Sequence, residues 1–132
     1  MINIMPTAIN GKKGNLFITS DHTQHDTFDE AEWHEFITDE LKIDALAFNF
    51  PQSNCVMTLK SINDLERFLA EEYEGCELII LNDFEQMEFP NRYVMIESVE
   101  HYGVENLLVK YTISFIEMNE FKRTMIDQIM SL

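Results

Sequence analysis

The chain has 132 residues and a formal net charge of −15, because 24 Asp and Glu stand against 9 Lys and Arg. Its hydrophobic content of 45% excludes an intrinsically disordered chain, and no apolar run is long enough for a transmembrane helix. The length is typical of one compact domain, so we expect a single globular domain over residues 1–132. Because the sequence shows no secretory signal, we expect a cytoplasmic protein with no membrane contact.

The negative charge is concentrated in two stretches. Residues 21–44 contain nine acids and one lysine, and residues 61–90 contain nine acids and one arginine, whereas the remaining residues are close to neutral. A domain this acidic repels itself when it folds, so natural sequences that keep such a charge often have a basic partner. The nine basic residues are scattered and form no stripe, which argues against direct binding to nucleic acid.

The first half of the sequence predicts a hairpin followed by an amphipathic helix. Residues 2–9 and 16–19 flank a turn at residues 10–14 that contains two glycines. Thr27 and Glu30 fit a capping box, so the first helix begins there. Its apolar positions are Trp33, Phe36, Ile37 and Leu41, and its anionic positions are Glu32, Glu35, Asp39 and Glu40.

The middle of the chain predicts a second hairpin, a second helix and a central strand. The hairpin joins residues 45–50 to residues 54–60, and the helix begins at Ser61 and ends before Gly75. The short apolar run at residues 76–81 suits a strand inside a sheet. The apolar face of this helix contains Ile62, Leu65, Phe68, Leu69 and Tyr73, and its exposed face contains Glu66, Glu71, Glu72 and Glu74.

The last third predicts a long hairpin and a third helix. Residues 92–100 and 107–116 alternate with the period of a strand, and residues 101–103 supply the turn between them. Asn119 is the expected cap of the third helix. The buried stripe of that helix is expected to contain Phe121, Met125, Ile126 and Ile129.

Strand pairs that alternate with single helices predict an α+β fold. We expect a single layer of mostly antiparallel sheet with about three helices packed on it. Cys55 and Cys76 are expected to be small buried hydrophobes rather than a disulfide, since there is no export signal. The residues expected in the core are Trp33, Phe36, Leu65, Leu69, Ile79, Ile113 and Phe115.

A histidine-rich segment is the densest candidate for metal chemistry. It contains Asp21, His22, His25, Asp26, Glu30 and His34. Glu30 and His34 lie one helical turn apart, a spacing at which two side chains can converge on a metal. A solvated loop followed by the acidic first turn of a helix explains the same residues, and the segment matches no metalloenzyme signature. We therefore expect no metal and no cofactor.

No motif predicts an enzyme. The chain has no G-x-S-x-G elbow and no CxxC pair, and its four glycines form no phosphate-binding loop. A small metal-dependent enzyme that uses the region of His22, His25 and His34 is kept as an alternative of a different class. A stoichiometric metal with open coordination would favour that alternative.

The acidic faces of the first two helices and the loop at residues 82–90 are the predicted partner-binding surface. The loop has neither helical nor strand periodicity, and it places aromatic side chains between acids, which suits an interface with apolar anchors and a charged rim. The same acidity could also serve solubility alone. The predicted partner-binding residues are Glu32, Trp33, Glu35, Asp39, Glu71, Glu72, Asp83, Phe84, Glu85, Glu88 and Phe89.

In size, acidity and α+β organisation the chain resembles the bacterial immunity proteins that neutralise toxins of contact-dependent growth inhibition and related systems. The resemblance extends over the whole chain and includes no motif. It implies a tight heterodimer with a basic toxin domain, commonly a nuclease, whose active site this chain would cover or distort. The alternative is a nucleic-acid mimic that inhibits a restriction or CRISPR nuclease by offering carboxylates where phosphates would lie.

Overall fold

The computed structural model describes residues 2–9, 12–45 and 53–132. It has an α+β fold, as the sequence predicts, but the described strands form one three-stranded and one five-stranded sheet instead of the expected single layer. The chain divides into two compact units, residues 1–42 and residues 43–132. Each unit is described by itself.

The first unit contains the three-stranded antiparallel sheet and a helix. Its strands are β1 (Asn3–Ile9), β2 (Lys12–Ile18) and β3 (Gln24–His25), in that order across the sheet. Helix α1 spans Phe28–Glu35 and continues into a π-helical turn at Phe36–Glu40. The predicted hairpin is confirmed, although β2 begins earlier than expected, and the short strand β3 was not predicted.

Local contacts in the first unit confirm the predicted start of α1. The Thr27 hydroxyl accepts a hydrogen bond from the Glu30 amide at 3.2 Å. Phe36 and Leu41 are buried as expected. Trp33 was expected in the core but is only half-buried. Its ring centroid lies 5.6 Å from that of Phe36, and an indole is large enough that complete burial is rare.

The second unit contains the five-stranded sheet and two helices. The strands lie in the order β4-β5-β7-β8-β6, and all neighbours are antiparallel except β6 and β8. The predicted strand at residues 45–50 falls mostly outside the described residues. The elements are β4 (Asp44–Ala45), β5 (Ser53–Leu59), α2 (Ile62–Glu72), β6 (Glu77–Ile80), β7 (Asn91–Tyr102), β8 (Leu108–Glu117) and α3 (Met118–Met130), with 3-10 turns at Phe84–Gln86 and Val104–Asn106.

Helix α2 covers one face of this sheet. The Ser61 hydroxyl accepts a hydrogen bond from the Asp64 amide at 3.3 Å, which confirms the predicted cap. At the other end of the helix, the Tyr73 ring centroid lies 5.2 Å from that of Tyr111 on β8. Alternate residues of the strands point to the helix, so the core combines Leu65, Phe68, Leu69 and Tyr73 with Met57, Leu59, Ile113 and Phe115, all of which are buried.

Strand β6 lies at the edge of the sheet, which corrects the expectation of a central strand. It pairs with β8 in parallel, from Glu77 opposite Lys110 to Ile80 opposite Ile113. Ile79 was expected in the core but is 41% exposed. An apolar run of this length fits either position, because its composition does not reveal which strands will pair with it.

Helix α3 also differs from the prediction. Strand β8 leads directly into it, and the cap is the carboxylate of Glu117 rather than Asn119. Glu117 accepts hydrogen bonds from the amides of Asn119 and Glu120, each at 3.0 Å. No residue of α3 is buried, and the Ile126 and Ile129 side chains, expected in the core, are exposed.

Truncating Leu65, which is 0% exposed on α2, should destabilise the protein strongly. We expect Leu65→Ala to lower the free energy of unfolding by about 2–5 kcal/mol, because the cavity between helix and sheet cannot close completely. Leu81→Ala is the matched control, since Leu81 is 67% exposed. Urea titrations followed by circular dichroism would measure both, and equal losses would contradict the position of α2.

Candidate functional site

An acidic cleft of about 320 Å³ lies in the second unit, where β6 ends, β7 begins and β8 passes into α3. The predicted loop at residues 82–90 forms one wall, and apart from a short 3-10 turn it is irregular, as expected. The other wall comes from the end of β8 and the first turn of α3. The cleft is lined by Asn82, Asp83, Gln86, Met87, Glu88, Asn91, Tyr93, Phe115, Glu117 and Glu120.

Two side chains fix the loop to the sheet. Asn82 donates a hydrogen bond to the Phe115 carbonyl at 2.8 Å and accepts one from the Phe115 amide at 2.7 Å. The Tyr93 hydroxyl donates to the Glu88 carbonyl at 2.8 Å and accepts from the Glu88 amide at 2.9 Å. Because both ends of the loop are bonded in this way, its acidic side chains are presented on a fixed backbone.

The four carboxylates of the cleft have two kinds of role. Asp83 accepts a hydrogen bond from the Glu85 amide at 3.0 Å, and Glu117 caps α3, so both support local structure. Within the described residues no hydrogen bond or ion pair uses the carboxylate of Glu88 or Glu120. Those two side chains therefore keep their acceptor capacity for another molecule.

The lining of the cleft contains four carboxylates and no Lys, Arg or His. Burial, together with the charges of Glu88 and Glu117, raises the pKa of the Tyr93 hydroxyl, so Tyr93 is neutral at physiological pH. Nothing in the lining offsets the negative charge. The cleft thus favours a cationic group that has a short apolar portion, since Met87 and Phe115 complete its wall.

The predicted binding residues of α1 are partly engaged within the first unit. The Glu35 carboxylate accepts hydrogen bonds from the amide of Ser20 and, at 2.8 Å, from its hydroxyl, which lower the pKa of Glu35 to about 2. Glu35 therefore acts as a structural acceptor. Glu32 and Asp39 are exposed, and Trp33 is half-buried.

The predicted binding residues of α2 are exposed but differ in surroundings. Glu71 pairs with Arg67 at 3.5 Å, one helical turn earlier. Burial and the charge of Glu97 raise the pKa of Glu72. The Tyr73 hydroxyl donates a hydrogen bond to Glu97, whose carboxylate thus lies under the end of the helix.

The cysteines carry no disulfide in the described structure. Burial, with the charges of Glu97 and Glu72, raises the pKa of Cys55 to about 11, which leaves its thiol protonated and poorly nucleophilic at neutral pH. Cys76 is exposed, which corrects the expectation that both are buried.

The structure brings together part of the histidine-rich segment. Asp21 accepts a hydrogen bond from the Thr19 hydroxyl and lies 2.6 Å from Nε2 of His34, and these contacts lower the pKa of Asp21. The rings of His25 and His34 lie 4.8 Å apart. In the part of the chain that the structure describes, no three His, Cys, Asp or Glu side chains are arranged as metal ligands would be.

The remaining predicted residues of the loop lie beside the cleft. Phe84 and Phe89 are half-buried, and the Phe89 ring centroid lies 6.1 Å from that of Tyr93. Glu85 is exposed. Glu117 and Glu120 were not predicted, because they lie some thirty residues later, at the end of β8 and in the first turn of α3, and only the fold places them opposite Asp83 and Glu88.

The tip of the β7–β8 hairpin was also missed. Val104, Leu107 and Leu108 are exposed there, and Glu105 and Asn106 have positive φ angles of 57° and 56°. The available signal was Val104 directly after the predicted turn glycine, followed by the apolar pair Leu107 and Leu108. Register separates the tip, where Tyr102 lies opposite Leu108, from the cleft at the other end of the same strands.

Comparison of the chain with protein-family models, with curated proteins and with solved structures found no match. Among the described residues, no helix has the length and apolar character needed to cross a membrane.

Removing the Tyr93 hydroxyl tests how the loop is held. Tyr93→Phe leaves the Glu88 amide and carbonyl without their bonds, and we expect a loss of about 1–3 kcal/mol in unfolding free energy. Hydrogen exchange should become faster for amides of the loop. Tyr111→Phe is the control and should leave the exchange of the loop amides unchanged. If Tyr93→Phe lost protection only in β8 and not in the loop, this account would be contradicted.

Glu72 should make the protein less stable as pH rises. Because its folded pKa is raised, its contribution to stability is fully present below its unfolded pKa of about 4.5 and is lost as pH rises through the folded pKa. We expect Glu72→Gln to be more stable than wild type at pH 7, with the difference disappearing near pH 4. Urea titrations at both pH values would measure this. Glu66→Gln, on the exposed side of α2, controls for the loss of net charge.

Proposed function

We propose that this chain is an immunity protein, which binds a basic toxin domain in the cytoplasm and neutralises it. The observation that carries the proposal is the cleft lined by Asp83, Glu88, Glu117 and Glu120 without any basic residue. It lies in a chain of net charge −15, in which like charges already oppose folding. A surface that concentrates uncompensated carboxylates in this way gains most from a cationic partner.

A lysine or arginine side chain of the partner fits the cleft in size and chemistry. A volume of about 320 Å³ accommodates one long side chain. An arginine brings five N–H donors, and charge-assisted bonds to carboxylates are among the stronger hydrogen bonds in proteins. Met87 and Phe115 would contact the aliphatic stem, because such stems pack on apolar surface while the charged head stays polar.

A nuclease domain is the partner class that this chemistry favours. Enzymes that cleave nucleic acid bind phosphates through clusters of lysine and arginine. An acidic protein that occupies those residues prevents the substrate from binding. Exposed acids outside the cleft, such as Asp39 and Glu71, add to the net negative charge that would steer the encounter.

The mixed lining of the cleft favours an immunity protein over a nucleic-acid mimic. A mimic needs acids at regular spacing and few apolar contacts. The cleft instead combines carboxylates with Met87, Tyr93 and Phe115. The metal-enzyme alternative has no comparable support, since within the described residues His22, His25 and His34 are not grouped with other side chains as metal ligands would be.

Removing charge from the cleft tests the proposal. In Glu88→Lys/Glu120→Gln, both changed side chains are free of structural bonds, and the glutamine avoids a cation in the first turn of α3. The control Glu105→Lys/Asp26→Asn changes the net charge by the same amount at exposed acids outside the cleft, α1 and α2. Partner association should reach on the order of 10⁸ M⁻¹s⁻¹ at low salt. We expect the cleft variant to bind roughly tenfold or more weakly, and the control to change the affinity much less.

The decisive assay is protection from a toxin domain encoded beside this chain. Cells that express the wild-type or control protein should survive, and cells that express the cleft variant should not. Circular dichroism would show whether each variant is folded. A folded cleft variant that binds and protects like wild type would show that the acidity serves solubility alone.

A further inference from the structure

The last two turns of α3 form an exposed apolar patch on the second unit. Ile126, Ile129 and Met130 are 58%, 63% and 78% exposed. Phe121 and Met125, on the adjoining side of the helix, are half-covered, as is Met118 in the first turn. The apolar side of the helix is thus wider than the part that this unit covers.

The charge of α3 is balanced, unlike that of the rest of the chain. The helix carries Glu120 and Asp127 against Lys122 and Arg123, so its net charge is zero in a protein of −15. Within the described residues, neither cation has an ion-pair partner, although acids outnumber bases by more than two to one. Two adjacent unpaired cations therefore flank the apolar patch on its N-terminal side.

The C-terminal end of α3 lacks the charge that it favours. Its last turn contains no basic residue. The final carbonyl groups of a helix carry partial negative charge, which a nearby cation stabilises. The cations of α3 lie near the opposite end of the helix, so they cannot serve this role within their own helix.

We propose that α3 pairs with α3 of a second copy of this chain, antiparallel and centred on Ile126. Antiparallel pairing about a two-fold axis places Lys122 and Arg123 of each copy beside the last turn of the other. Their stems would cover Ile129 and Met130 of the second copy, and their charges would lie near its Asp127 and terminal carbonyls. The same surface is thus complementary to itself in both shape and charge.

A basic partner fits this surface less well than a second copy does. The cations of α3 would repel it, whereas a second copy brings the carboxylate of Asp127 and an uncompensated helix end. Since only two helical turns meet, the buried area falls below that of a stable dimer, and we infer weak, reversible association.

The dependence on salt distinguishes this dimer from the complex proposed above. Two copies of net charge −15 repel each other at long range, and salt screens that repulsion more than it screens the short-range contacts of Lys122 and Arg123 with Asp127. The dimer should therefore become tighter as salt is added. Binding to a basic partner should weaken under the same change, so the failure of one proposal is separable from the failure of the other.

Sedimentation of the purified chain tests the proposal over about 10 to 500 µM, the range in which small interfaces associate. We expect a monomer–dimer equilibrium whose dissociation constant falls severalfold between about 0.02 and 0.3 M salt. Ile126→Glu should raise that constant at least tenfold. Val104→Glu, at an exposed apolar site on the hairpin tip, is the matched control and should leave it unchanged.

A charge exchange keeps the test valid if one variant folds poorly. Lys122→Glu/Arg123→Glu should not self-associate, and mixing it with Asp127→Lys should give more heterodimer than either variant gives homodimer. A monomer over the whole concentration range would overturn the proposal. So would a dimer that survives Ile126→Glu, or one that is lost with Val104→Glu instead.

Discussion

The antiparallel pairing of β7 with β8 is the constraint on which the second unit depends. It extends from Tyr93 opposite Glu117 to Tyr102 opposite Leu108. Strand β5 joins the free edge of β7 and β6 joins the free edge of β8, so every other strand takes its register from this pair. A slip of one residue would turn Ile113 and Phe115 away from α2 and would separate the two walls of the cleft.

The acids of this chain divide into those that hold the fold and those that the fold leaves available. Glu35 and Glu117 accept hydrogen bonds from backbone amides, and Glu97 accepts one from the Tyr73 hydroxyl. Within the described residues, the carboxylates of Glu88 and Glu120 make no such bond and remain available in the cleft. The sequence cannot make this distinction, because all five are ordinary acids within acidic or neutral stretches.

Features that depend on neighbours in sequence were predictable. The caps Thr27 and Ser61 each bond an amide three residues later, and the alternation in β7 and β8 is a property of each strand alone. Features that depend on distant neighbours were not. The position of β6 at an edge follows from its choice of β8 as partner, which no pattern in residues 76–81 reveals.

The same limit explains what was missed at the site and on α3. Periodicity shows that Ile126 and Ile129 lie on an apolar side of the helix, but it does not show whether anything covers them. The loop at residues 82–90 was predicted from its own acids and aromatic residues, and the structure shows that it forms one wall of a cleft. The opposite wall comes from Glu117 and Glu120.

Glu117 lines the cleft and also caps the first turn of α3, the helix whose last two turns carry the apolar patch. A cation in the cleft competes with the amides of Asn119 and Glu120 for the same two oxygens, and so loosens the start of the helix. If both proposals hold and this loosening weakens the pairing of α3, thermodynamic linkage requires the pairing to weaken cation binding by the same factor. At high concentration, part of the protein would then be dimeric and would bind its partner more weakly. At low concentration the monomer would predominate and would bind the partner more tightly.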